Sequence, residues 1–186
     1  MPEITVQLVI FLLGVAGLTA LAAFWDLKER RIPNWLTLPV FGAGWVYQLW
    51  FNGLGGLADG GLGFLVGFGT LFVLWMVGGG GGGDVKLMGA LSVWLGFRMT
   101  LMVMIASTAI VILMTVFVVA YGMIVNGPYA TKRKLLATGK PQDRTKAAKR
   151  ETSQEKASRR VMAYAVPVAV ATWSVLVWKL PTFPWT

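Results

Sequence analysis

Six apolar stretches fill most of this 186-residue chain, at residues 4–24, 35–51, 60–77, 85–97, 99–125 and 161–180. About 20 apolar residues at roughly 1.5 Å rise cross a 30 Å hydrocarbon core, so stretches of this kind suit membrane-spanning helices. The fourth is short by that measure, and residues 85–125 can be divided in more than one way. Within lipid, backbone N–H and C=O groups must be satisfied inside the protein, which leaves helices or closed barrels. Strand-like alternation is absent, so a barrel is not expected. The expectation is an all-α membrane protein, a polytopic bundle of about six transmembrane helices forming a single domain over residues 1–186. A chain that is 56% hydrophobic and only 13% charged fits that class and not a soluble one. The first stretch is expected to be retained. Met1-Pro2-Glu3 lacks the positive charge of a cleaved signal, and a second span follows closely.

Charge gives the bundle an orientation. Of 17 Lys and Arg, 15 fall at residues 28–31, at Lys86 or at residues 132–160; only Arg98 and Lys179 fall at the opposite span ends. Six spans place those 15 on one side, which the positive-inside rule makes cytoplasmic. Both termini then face outward, and residues 52–59, with Asp59, form a short external turn. The net charge of +9 is explained by topology, so no nucleic acid is expected as a partner; the lipid bilayer is. The segment at about 128–160 reads as a basic cytoplasmic loop. A basic helix lying on anionic headgroups is the other reading, disfavoured by its few large apolar residues.

Absences narrow the chemistry. There is no Cys and no His, which removes a cysteine nucleophile, a Ser–His pair, disulfides and the usual zinc sites. Proton transfer near neutral pH is left to Asp, Glu, Lys, Tyr or water. Neither a metal nor a cofactor is expected.

Two aspartates stand at the ends of apolar spans. Asp26 closes the first, and Asp84 follows a run of six glycines, Gly78 to Gly83, after the third. Two crossings separate them, so both return to the cytoplasmic face. An ionisable group at membrane depth is costly and by default marks function. Two carboxylates brought close in a low-dielectric site cannot both ionise, so one holds a proton while the other stays charged. That arrangement suits an aspartyl protease: the charged member takes a proton from water, and the protonated member polarises the scissile carbonyl. Such a pair titrates as a unit, so neither role falls to one residue.

The neighbouring residues admit bland and functional readings. Gly81 and Gly83 belong to a flexible connection or to a wet backbone that admits an extended substrate. Pro33 and Asn34 open the second span; Asn34 caps that helix, bonds near the site, or does both. Lys86 reaches for headgroups or acts on a neighbouring carboxylate. Gly56, Gly60, Gly63 and Gly67 read as a close-packing face, with a substrate-docking groove as the lesser reading. The glycine run is neither a dinucleotide fingerprint, for want of a βαβ unit, nor a phosphate loop, since Asp84-Val85 stands where Lys and Ser or Thr are needed.

Asp26-Leu-Lys-Glu-Arg-Arg-Ile-Pro-Asn34 together with Gly81-Gly-Gly-Asp84-Val-Lys86 resembles the paired motifs of the type IV prepilin peptidases. The second is similar to the GxGD element shared with presenilin-type intramembrane proteases. Ala163-Tyr-Ala-Val-Pro-Val-Ala-Val-Ala171 looks like a degenerate form of the family's last-span motif, with its proline displaced to Pro167. The resemblance implies a single prepilin-peptidase-like membrane domain in the cell's inner membrane. It makes Asp26 and Asp84 the catalytic pair of an endopeptidase that removes the basic leader of a pilin or pseudopilin precursor, itself carrying a transmembrane helix. Full-length members also carry a cysteine-rich insertion and methylate the new N-terminus. Here only Leu27 to Asn34 separate Asp26 from Trp35, so the chain resembles the short, peptidase-only form of tight-adherence pilus systems, without methyltransferase activity. A small channel or transporter with an acidic mouth, and a catalytically silent scaffold, are the rival readings. Oligomeric state is not set by the sequence.

Overall fold

The computed structural model describes residues 6–29, 31–77, 81–126 and 164–179. Among these residues there is no strand, and four helices follow one another: α1 Val6–Glu29, α2 Asn34–Met76, α3 Gly82–Asn126 and α4 Ala165–Lys179. The first three are each long and apolar enough to cross a membrane, so this is an all-α membrane protein. The basic segment at about 128–160 lies outside the described residues. Contacts divide the chain into a unit of residues 1–108 and 163–186 and a second unit of residues 109–162.

Two helices are each broken once, at a glycine. Gly53 in α2 has φ 60° and ψ −149°, and Gly96 in α3 has φ 69° and ψ −179°. Positive φ at these ψ values is open to glycine and strained for any side chain. Each break reverses the chain. Phe41 and Phe64 meet across the first with ring centroids 5.3 Å apart, and Thr100 Oγ1 donates to the Ser92 carbonyl across the second at 3.4 Å. The described residues therefore form six helical segments: α1, α2a (34–52), α2b (54–76), α3a (82–95), α3b (97–126) and α4.

The breaks differ from the sequence expectation in form. Residues 52–59 were expected as an external turn, yet one glycine makes the reversal and residues 54–59 are already helical. Gly56 can be helical there because its missing side chain leaves room for Gln48 and Asn52. The second reversal falls at Gly96, just before Arg98.

A broken helix exposes orphan carbonyls on one side and orphan N–H groups on the other, which is costly away from water. Two polar side chains answer each half of that need. Gln48 Nε2 donates to the carbonyls of Val93 (2.8 Å) and Trp94 (3.4 Å), and Asp59 Oδ1 accepts the N–H of Phe97 at 3.1 Å. Gln48 is itself held, since Asn52 Nδ2 donates to its Oε1 at 2.7 Å.

The glycine ladder packs α2b against α3a. A Cβ on Gly63 would stand 2.6 Å from the Ser92 carbonyl oxygen, and one on Gly67 2.8 Å from the Ser92 hydroxyl. Packing has therefore taken this face, and the groove reading is not available to it. In α1 the buried residues are Leu8, Phe11, Val15, Leu18, Thr19, Ala22 and Asp26. Their spacing of three and four makes one stripe toward the core, and Asp26 ends it. Leu13, Phe24 and Leu27 on the other faces are exposed, as lipid-facing residues are. In the second unit, residues 109–126 are apolar and outward-facing, with Leu113 and Phe117 exposed and Phe117 stacked on Tyr121.

Candidate active site

Asp26 sits on the core-facing stripe of α1, one turn beyond Ala22, and is only 3% exposed. Its Oδ2 accepts the backbone N–H of Ala165 at 3.0 Å. Ala165 opens α4, so that N–H is one of the orphan donors of a helix start, where negative charge is favoured.

Asp84 is buried at 9% exposure in the first turn of α3. The Gly81 carbonyl accepts the N–H groups of Asp84 (3.0 Å) and Val85 (3.3 Å), while Asp84 Oδ2 accepts the Gly81 N–H at 3.2 Å. The Asp84–Gly81 bond is the returning half of a capping box, built with aspartate; Gly81 has no side chain to supply the other half. A Cβ on Gly82 or Gly83 would find its nearest neighbour, in Trp75 or Ile32, no closer than 3.6 Å. Among the described residues, packing therefore does not demand glycine at either position, although glycine costs a helix about 1 kcal/mol relative to alanine.

The start of α4 bears on both aspartates. Its opening N–H bonds Asp26, and Tyr164, the preceding residue, lies within electrostatic reach of Asp84. Helix rise agrees. Gln7 Nε2 bonds Asn52 Oδ1 at 3.4 Å beside the Gly53 reversal, and Asp26 lies about 28 Å up α1 from there. The Asp59–Phe97 bond lies about 9 Å inward of Gly53, and Asp84 stands about 20 Å beyond it along α3a. Along their own helices the two carboxylates thus stand at similar distances from the Gly53 end.

Asn34 and Lys86 also meet, with Lys86 Nζ donating to Asn34 Oδ1 at 2.7 Å. Both are exposed, so the bond lies at the mouth and not beside the buried carboxylates. Asn34 does not cap α2. Pro33 holds the cap position with extended backbone (φ −73°, ψ 145°) and no side-chain cap bond, and Asn34 is already helical. The bond to Asn34 is a role for Lys86 that neither the headgroup nor the carboxylate reading foresaw. Gly81 caps α3, Gly83 lies beside Ile32, and Gly78 to Gly80 lie outside the described residues.

Sequence reading missed Ala165 as the donor to Asp26 and Tyr164 as a neighbour of Asp84, although both stand within the quoted last-span motif. It also missed Gln48 and Asp59 as caps of the Gly96 break, although a Gln and an Asp within apolar helices are a signal of such a need. A cavity of about 280 Å³ lies at this opposite end, lined in part by Gln7, Tyr47, Gln48, Asn52 and Asp59. Its one carboxylate is bonded to Phe97, so it offers no acid pair.

The type IV leader peptidase family model matches residues 10–122, a stretch that contains both aspartates. The chain belongs to that family. No curated protein and no solved structure matches it. A membrane-embedded peptidase of the leader-peptidase kind follows at the family level.

Proposed function

We propose that this family member is an aspartyl endopeptidase that cuts the basic leader from a pilin-type precursor at the cytoplasmic face of the inner membrane. If the six apolar stretches each cross once, the Lys- and Arg-rich segments fall on one side, which supports the orientation. The observation that carries the reading is a pair of buried carboxylates, Asp26 and Asp84, on separate helices, the first bonded to the opening N–H of α4 and the second within electrostatic reach of Tyr164 just before it.

In this reading one proton is shared across the pair. The ionised carboxylate takes a proton from water as the water oxygen bonds to the scissile carbonyl carbon. The protonated carboxylate donates to the carbonyl oxygen. Collapse breaks the C–N bond, and the leaving amine takes a proton from the pair. Room beside Gly82 and Gly83 suits an extended substrate backbone, which gives these glycines a use that packing does not. No metal or cofactor enters the scheme, and no methyl transfer is assigned.

The test uses purified protein in lipid and a precursor with a basic leader and one apolar helix. Wild type should release the leader, while Asp26→Asn and Asp84→Asn should each be slower by about a thousandfold. Cleavage by either variant at the wild-type rate would remove that residue from the chemistry. Ion flux through liposomes that Asp84→Asn abolishes, without precursor cleavage, would point to a channel instead.

A further inference from the structure

Trp75 ends a row of rings along α2b. Phe64, Phe68, Phe72 and Trp75 follow at spacings of four, four and three, which puts them on one helix face. Their ring centroids lie 4.8, 5.4 and 5.7 Å apart in turn, and packing against Phe72 limits how the indole turns. The polar edge of that indole has a definite direction. A Cβ on Gly82 would stand 3.6 Å from Trp75 Nε1, and no other neighbour among the described residues would come within 4 Å. The indole nitrogen therefore borders the open face of Gly82, two residues before Asp84. An indole N–H can only donate. Trp75 is 47% exposed, and among the described residues its hydrogen goes to no acceptor.

A peptide that enters this space extended brings a need of its own. Its carbonyls have given up their helical donors, and a carbonyl left unpaired near lipid is costly. We propose that Trp75 is a substrate-binding residue, whose indole N–H donates to one backbone carbonyl of the extended segment lying beside Gly82. Every residue offers a backbone carbonyl, so this contact holds the segment whatever side chains it carries. The proposal rests on the reading of Asp26 and Asp84 as a catalytic pair that acts on such a segment. An indole that served only as an anchor at the membrane surface would be indifferent to the substrate's backbone.

The test uses the full-length protein in lipid and a synthetic precursor segment with a basic leader, the cleavage site and one apolar helix. Trp75→Phe keeps a ring against Phe72 and removes the N–H. In the Asp84→Asn background, where cleavage is slow, it should weaken precursor binding about fivefold. In the active protein KM should rise about fivefold with kcat changed by less than about twofold, because the contact is made before the reaction and during it. The unfolding midpoint should move by less than about 2 °C. A set of precursors, each with one backbone amide near the cut replaced by an ester, then locates the bond, since an ester carbonyl accepts more weakly. At one position the ester should weaken binding to protein that has Trp75, and Trp75→Phe should add no more than about twofold to that loss. Losses that multiply at every position overturn the proposal. So does a Trp75→Phe protein that binds the precursor as tightly as one with Trp75, or wild type that does not bind it. If wild type binds but does not cleave, the catalytic reading falls, and the ester set alone decides whether Trp75 holds the substrate backbone.

Discussion

At both ends of the residue 1–108 unit an aspartate accepts a backbone N–H at a helix start: Asp59 at Phe97 at one end, Asp84 at Gly81 and Asp26 at Ala165 at the other. By bond type the three are alike. What separates them is company. Asp59 stands with amides, beside Gln48 and Asn52, and its charge answers a helix break. Asp26 accepts the N–H of Ala165, and Asp84 lies within electrostatic reach of the neighbouring Tyr164. Neither capping nor burial alone therefore sets the proposed acid pair apart from Asp59.

Replacing each aspartate by asparagine breaks or sharpens that comparison, because the amide oxygen can still accept the N–H. Asp84→Asn should keep the helix start and lose about a thousandfold in leader cleavage. Asp59→Asn should stay within about twofold of wild type in the same assay, since it acts on the fold and not on the reacting atoms. Equal losses in the two variants would erase the distinction between the ends. Gly96→Ala comes next. It places a side chain at positive φ and into the Asp59 carboxylate, and should cost about 3 kcal/mol in reversible unfolding. Gln48→Leu leaves the Val93 and Trp94 carbonyls without their donor, for a loss of about 2 kcal/mol. Smallest is Lys86→Ala. The bond to Asn34 is exposed, so stability should shift by less than about 0.5 kcal/mol. A larger shift would move Lys86 from the mouth into the fold's support.

The same two ends differ in how far the sequence disclosed them. The all-α class and the two aspartates were legible because lipid imposes long apolar runs, and an acid near them stands out. The α1 stripe from Leu8 to Asp26 even gives the direction in which Asp26 points. The reversals were legible only as interruptions. A loop of several residues was expected at 52–59, whereas one glycine at positive φ suffices and leaves Asp59 on a helix, free to cap its neighbour. The Ala165 N–H and Asp26 are 139 residues apart in the chain. Their meeting depends on how α4 packs against α1, which no local pattern states. Asn34 misled for a local reason: a good capping residue follows a proline that had already taken the cap.

The placement of Gly96 has one more consequence. Its reversal sits about two turns short of the Gly53 end, and the hollow lined by Gln48, Asp59, Trp94 and Leu95 lies at that step. Because residues 87–95 are buried, the end of α3a meets these side chains and not lipid.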